Sequence, residues 1–226
     1  MTPVWAGLRV LVSAGPTFED IDPVRFIGNR SSGRMGFAIA AAAARRAAHV
    51  RLVAGPVHLP TPHGVERIDV RSAAQMRAAV LHGLPADVYI GAAAVADFAP
   101  AQVAERKLKK TAGNERLLLE LVRTPDILAE VAAHVSRPRL VIGFAAETHD
   151  LAAYARDKLA RKRVDLVAAN RVGVAGSGFE SDDNALVVYG PDAFECALGP
   201  APKAQLAEAL LDLAAEWFCG AMTKDA

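Results

Sequence analysis

The sequence predicts an α/β fold, a Rossmann-like three-layer sandwich with a mainly parallel sheet and a C-terminal hairpin extension. Three observations predict it. Apolar runs of strand length alternate with stretches of helical periodicity from Leu8 to Ala169. The strand candidates are near-continuous Val, Leu, Ile and Ala, the composition of a parallel sheet covered by helices on both faces. The alternation then stops after Asn170, where a Gly-rich turn precedes two short strand patterns.

The elements follow in order. Leu8–Ala14 is an apolar strand run, and Met35–Ala48 an Ala-rich helical pattern. Strands at Val50–Ala54 and Val88–Ala94 flank a helix at Ala73–Leu81. A helix at Pro125–Val135, a strand at Leu140–Phe144, a helix at Leu151–Arg161 and a strand at Leu166–Ala169 complete the alternating part. Short strands at Ala185–Val188 and Phe194–Leu198 form the hairpin, and a helix at Lys203–Phe218 closes the chain. No internal repeat or low-complexity linker divides it, so residues 1–226 read as one domain.

Composition narrows the function classes. With 226 residues and 52% hydrophobic side chains, the chain can bury a substantial core. Lys plus Arg (26) nearly balance Asp plus Glu (25), which argues against a nucleic-acid or membrane-surface binder and confines any anion site to a local patch. The longest apolar stretch, Phe37–Ala44, is far too short to span a bilayer, and the N-terminus lacks a signal-peptide pattern, so a cytoplasmic protein is expected. Two cysteines, Cys196 and Cys219, suggest no disulfide framework, and the six histidines show no metal-ligand spacing.

Two connections exceed the usual length of about two to six residues for such units: Gly15–Arg34 and Ala96–Arg116. Both leave carboxyl ends of strands, where ligands bind in an open α/β sheet. In the first, Ser31-Ser32-Gly33-Arg34-Met35-Gly36 stands directly before the Ala-rich helix. A serine cap with free N–H groups and glycines beside it would cradle a phosphate, yet the same pattern serves an ordinary capped helix, and taken alone the two readings balance. The second loop carries Arg106-Lys107-Leu108-Lys109-Lys110. On charge alone it is a solvated run. Its place in a long, glycine-containing loop opposite a phosphate cradle makes a mobile flap that closes over a polyphosphate the more attractive reading.

A nicotinamide-dependent oxidoreductase is the competing class. Its glycine fingerprint is missing: the first turn reads Ser13-Ala14-Gly15-Pro16-Thr17, and the second strand ends Val53-Ala54-Gly55-Pro56 without an acidic residue for a ribose. No Walker loop is present either.

Gly15-Pro16-Thr17, followed by the run from Ile21 to Gly36 (IDPVRFIGNRSSGRMG), resembles the signature of the phosphopantothenate–cysteine ligase domain of bacterial bifunctional coenzyme A biosynthesis proteins. Similar blocks follow at Ala92–Phe98, Lys107–Lys110, Thr124–Leu128, Gly143–Thr148, Lys158–Lys162 and Phe179–Asn184, covering nearly the whole chain. The resemblance implies a ligase that activates the 4'-phosphopantothenate carboxylate with CTP, releases pyrophosphate, and passes the acyl-cytidylate to cysteine with loss of CMP. Mg²⁺ is expected on the nucleotide phosphates, with no confident protein ligand.

By position, the resemblance implies catalytic roles for Asn29 and Lys107 and phosphopantothenate binding by Arg25 and Asn29. Ser31, Gly33 and Gly36 would form the phosphate cradle. Gly91, Ala92, Ala93, Asp97 and Lys107 would hold the nucleotide, together with the turn Pro125, Asp126, Ile127 and Leu128, and with Phe144, Lys158 and Lys162. It also implies a homodimer, with the loop of Asp22, Arg25 and Asn29 reaching a partner subunit, and a fused or associated flavin-dependent decarboxylase domain. Phe18 and Arg171 depart from the pattern, which more often has Arg and Asp there. A non-catalytic nucleotide-binding module serving such a decarboxylase is a third reading, disfavoured by the intact Asn29 and Lys107.

Overall fold

The computed structural model describes residues 4–109, 116–147, 149–171 and 183–224. Lys110, Thr148, the Gly-rich turn after Asn170, most of the Phe179–Asn184 block and the Arg171 side chain lie outside the described residues.

Six strands run parallel: β1 (Arg9–Ala14), β4 (His49–Ala54), β5 (Val65–Asp69), β6 (Val88–Gly91), β9 (Leu140–Glu147) and β10 (Leu166–Arg171). Two more, β11 (Asp183–Tyr189) and β12 (Glu195–Pro202), add antiparallel to the β10 edge, giving the order β12-β11-β10-β9-β6-β1-β4-β5. Within the parallel part this is the doubly wound order, whose direction of winding reverses between β1 and β6. The expected fold class is therefore observed, C-terminal hairpin included.

Alternate residues of each strand bury opposite faces. Val10, Val12 and Ala14 of β1 join the core under α1 (Arg34–Arg45) and α5 (Lys203–Lys224), whereas Leu11 faces the core of α2 (Ala73–His82), α3 (Ile127–Ala132) and α4 (Leu151–Lys162). In α5, Leu206, Leu210, Ala214 and Phe218 repeat at four-residue spacing and are buried, which fixes that face on the sheet. In α2, Ser72 accepts from the Gln75 N–H and the Gln75 side chain answers the Ser72 N–H, closing a capping box.

Several elements differ from expectation. The strand expected to reach Ala94 ends at Gly91, and the helix expected over Pro125–Val135 contracts to Ile127–Ala132. β5 is an unexpected edge strand whose VERID sequence holds three charged residues and only two apolar ones. The two long loops also carry structure: β2 (Phe18–Asp20) pairs with β3 (Phe26–Gly28), and β7 (Phe98–Pro100) pairs with β8 (Leu121–Arg123). Phe18 stacks on Phe26 at 3.9 Å, and the Arg71 guanidinium lies over both rings while pairing with Asp20.

Candidate active site

The loops that leave β1 and β6 diverge at the winding reversal and then bind each other. The Ala94 N–H donates to the Gly15 carbonyl at 2.9 Å, and Pro16 and Ala94 form an isolated bridge. Thr17, fully buried, accepts from the Ala96 N–H at 3.0 Å, and the Thr124 hydroxyl donates to the Ala96 carbonyl at 2.5 Å. Asn29 closes the set by donating its amide to the Val95 carbonyl at 2.9 Å.

Two cavities open on either side of this seam. The first, about 410 Å³, is walled by Gly91, by the Pro125-Asp126-Ile127-Leu128 turn and by Lys162. The second, about 460 Å³, holds Asn29, Ser31, Gly33, Gly36 and Ala92. Ala93, Val95, Asp97, Phe144 and Lys158 line both, so the cavities share a wall. Every residue that the sequence reading assigned to the nucleotide thus lines one cavity or the other, except Lys107.

Glycine positions the second cavity. Gly36 lies where an added Cβ would come within 2.5 Å of the Ala14 Cβ, so its lack of a side chain lets α1 sit directly on β1. The expected serine cap is not formed: the N-cap of α1 is Gly33 in the left-handed region at φ 72°, without a side-chain cap. Ser31 instead accepts from the Gly33 N–H at 3.3 Å. A left-handed N-cap is open to glycine and turns the chain so that Ser31 lies beside the helix entrance rather than across it.

Lys158 is the electrostatic centre. It projects from α4 and donates to the Phe144 carbonyl. Burial and the neighbouring Lys162 ammonium push its pKa down to about 8, against the opposing pull of Glu147, Asp126 and Asp97. Lys162 pairs with Asp126 at 2.8 Å, and Asp126 also accepts from the Ala129 N–H at 3.1 Å to cap α3. Burial raises the Asp126 pKa, but Lys162, that N–H and Lys158 together hold it below its ordinary value. Beneath the first cavity, Tyr89 is pushed up to about 12 by burial and shares a hydrogen bond with Ser13 at 3.0 Å.

Lys107 and Arg25 line neither cavity of this chain. Arg25 instead bonds to the flap at Leu108, the residue after Lys107. Buried Asp22 accepts from the Val24 and Arg25 N–H groups and pairs with the Arg25 guanidinium, which holds its carboxyl well below the usual carboxylate range. The same pair grips the flap backbone: the Leu108 N–H donates to Asp22 at 3.1 Å, and Arg25 donates to the Leu108 carbonyl at 2.9 Å. Lys107 is exposed beside this anchor.

Sequence reasoning did not single out Thr17 and Thr124, which lock the seam, nor Asn170, Asn184 and Lys203, which are buried and line the second cavity. Thr17, Thr124 and Asn184 stand in the family-like blocks without a role of their own, and Asn170 and Lys203 stand in none; only strand order brings these residues together.

Comparison with known proteins fits this arrangement. A family model for the DNA/pantothenate metabolism flavoprotein C-terminal domain matches residues 5–218. The coenzyme A biosynthesis bifunctional protein CoaBC of Vibrio cholerae is 53% identical over 187 residues, which are 82% of this chain and 47% of that protein. The chain therefore spans about half the length of that relative. The crystal structure of the C-terminal domain of a CoaBC protein superposes with a TM-score of 0.80 at 36% identity, covering 99% of this chain and 100% of the other. A Cab2 mutant in complex with phosphopantothenate-cysteine has a TM-score of 0.80 at 16% identity over 96% of this chain and 88% of that one, a likeness of fold.

Proposed function

Because the chain belongs to the family of the DNA/pantothenate metabolism flavoprotein C-terminal domain, we propose that it is a phosphopantothenate–cysteine ligase driven by CTP. The observation that carries the reading is the shared wall of Phe144 and Lys158 between two cavities at the winding reversal. A nucleotide and an acid that must meet at one phosphorus need two adjoining chambers with a cation at their junction.

In this reading the phosphopantothenate carboxylate oxygen attacks the α-phosphorus of CTP, and the bond to the β-phosphate breaks with its electron pair leaving on pyrophosphate. The cysteine amine then attacks the acyl carbonyl and CMP departs. Lys158 and Lys162 screen the nucleotide phosphates, Lys107 follows the charge as the flap closes, and Arg25 with Asn29 holds the acid. Asn29 reaches the acyl carbonyl without adding charge. In this reading Mg²⁺ is carried by the nucleotide phosphates.

A homodimer completes the proposal. Val24, Phe26, Phe98, Val103, Leu121 and Val122 on or beside the two ribbons are large, apolar and exposed. A fused or associated flavin-dependent decarboxylase belongs to the same reading, and no helix among the described residues is long and apolar enough to cross a membrane.

The test is nucleotide-dependent release of pyrophosphate with phosphopantothenate, before and after cysteine is added, with CTP and ATP compared. Release with phosphopantothenate and CTP, and a thermal shift by CTP with Mg²⁺ but not by NADPH, are expected. A shift by NADPH alone would return the oxidoreductase reading.

A further inference from the structure

The cysteine step leaves one proton without a destination. An amine that attacks an acyl carbon carries one hydrogen too many for an amide, and that hydrogen must pass to a base as the bond forms. In the ligase reading the acyl carbon lies where the chambers of nucleotide and acid adjoin, so the base has to stand on their shared wall. Ala93, Val95 and Phe144 of that wall offer no titrating group, which leaves Asp97 and Lys158 among the described residues.

The two lysines of α4 are held differently. Lys162 pairs with the Asp126 carboxylate at 2.8 Å, a partner that fixes its charge. Lys158, one helical turn earlier, donates to the neutral carbonyl of Phe144. A neutral amine keeps such a bond with one hydrogen and turns its lone pair outward, whereas an ion pair is lost with the proton. Lys158 is half-buried and Asp97 exposed. The charges around Lys158 are Lys162 on its own helix, Asp126 at the start of α3, Glu147 at the end of β9 and Asp97 in the loop after β6. Burial and Lys162 outweigh the three acids and bring its pKa down to about 8, level with an ordinary α-amine at about 8. Bound triphosphate holds the ammonium form by its negative charge. Departure of pyrophosphate removes most of that charge, so the proton is held least between the two chemical steps.

We infer that Lys158 is the general base of the cysteine step as well as a cation of the activation step. Once pyrophosphate has left, Lys158 gives its proton to solvent. The cysteine amine attacks the acyl carbon, the N–C bond forms while one N–H proton passes to the Lys158 amine, and the C–O bond to the phosphate breaks with its electron pair leaving on CMP. The new ammonium lies beside the departing CMP phosphate, ready for the next triphosphate. This role rests on the ligase reading, which supplies the acyl-cytidylate.

The experiment takes the whole chain with labelled CTP, Mg²⁺ and phosphopantothenate, measures pyrophosphate release without cysteine, then adds cysteine and quenches at intervals. Lys158→Arg keeps the cation but cannot give up its proton. Its cysteine step should slow about a hundredfold more than its pyrophosphate release, the scale of a lost general base. Asp97→Asn should slow the cysteine step less than Lys158→Arg does. Should circular dichroism show that Lys158→Arg does not fold, Lys158→Gln carries the test with added trimethylamine, which accepts a proton but forms no amide. Trimethylamine should then restore product formed per acyl-cytidylate present. Equal slowing of both steps by Lys158→Arg, a larger loss of the cysteine step in Asp97→Asn, or no rescue of Lys158→Gln overturns the base. Pyrophosphate release with a normal cysteine step in Lys158→Arg removes the base alone, whereas wild type that releases no pyrophosphate from CTP removes the ligase reading and the base with it.

Discussion

The Asn29 side chain donates to the Val95 carbonyl at 2.9 Å, which makes one residue both a brace between the loops that leave β1 and β6 and a wall of the second cavity. Asn29→Asp keeps the size but places an ionised oxygen against that carbonyl and removes the donor. Ligation should fall by about a hundredfold or more, the usual effect of losing a donor to a developing oxyanion. Activation should fall less, so acyl-cytidylate accumulates in a quench experiment with labelled CTP. Equal loss in both steps would reduce Asn29 to a brace.

Lys107→Gln should leave thermal stability unchanged, because the residue is exposed and touches no core element. Pyrophosphate release should drop by about a hundredfold. Near-normal release would make Lys107 an ordinary surface charge.

Lys158, with its pKa at about 8, predicts a pH signature. In the proposed mechanism the ammonium form serves the phosphates, so kcat/KM for CTP should decline as pH rises above about 8, and Lys158→Arg should flatten that decline. Stability moves the other way. The folded chain releases this proton near pH 8 and the unfolded chain only near 10.5, so the unfolded state binds more protons between those values and stability from this group rises with pH there. A pH series of CTP kinetics and melting temperatures checks both signs.

Asp126 separates two roles that share one carboxylate. Asp126→Ala removes the α3 cap and the Lys162 partner, and should cost about 1 kcal/mol in chemical denaturation. Asp126→Asn keeps a capping oxygen and should cost less, while both variants alter CTP affinity through the released Lys162. Equal destabilisation by the two would assign the loss to the ion pair.

Leu121→Glu together with Phe98→Lys should halve the mass seen by light scattering if the ribbons form the dimer contact, since both side chains are exposed in the single chain. A wild-type monomer with full activity would end the dimer reading.

Much of the fold was legible because buried parallel strands announce themselves. Val10–Val12, Leu52–Ala54 and Leu140–Ile142 are apolar on both faces, so their runs are continuous. β5 was not, because this edge strand is mostly charged and reads like a loop. The three-residue ribbons were invisible for another reason: β7 meets β8 only after the chain returns across some twenty residues, and a pattern that short has no period of its own. In the site, residues in contiguous runs such as Ser31–Gly36 could be found by inspection. The seam-locking bond of Thr17 and the burial of Lys203 could not. A threonine that accepts a distant N–H, or a lysine that begins a helix, looks like any other until strand order supplies its neighbours.

The two ends of the eight-stranded sheet have a bearing on the chain's solubility during synthesis. At one end β12 contains Pro200 and Pro202, which have no N–H to offer an incoming strand; at the other β5 carries Glu66, Arg67 and Asp69. Such edges resist edge-to-edge growth into aggregates. Half-made or crowded copies of this chain are thereby steered away from open-ended stacking, and a variant that put Val at Pro200 or Ile at Arg67 would be expected to precipitate from concentrated solution while its two cavities stayed intact.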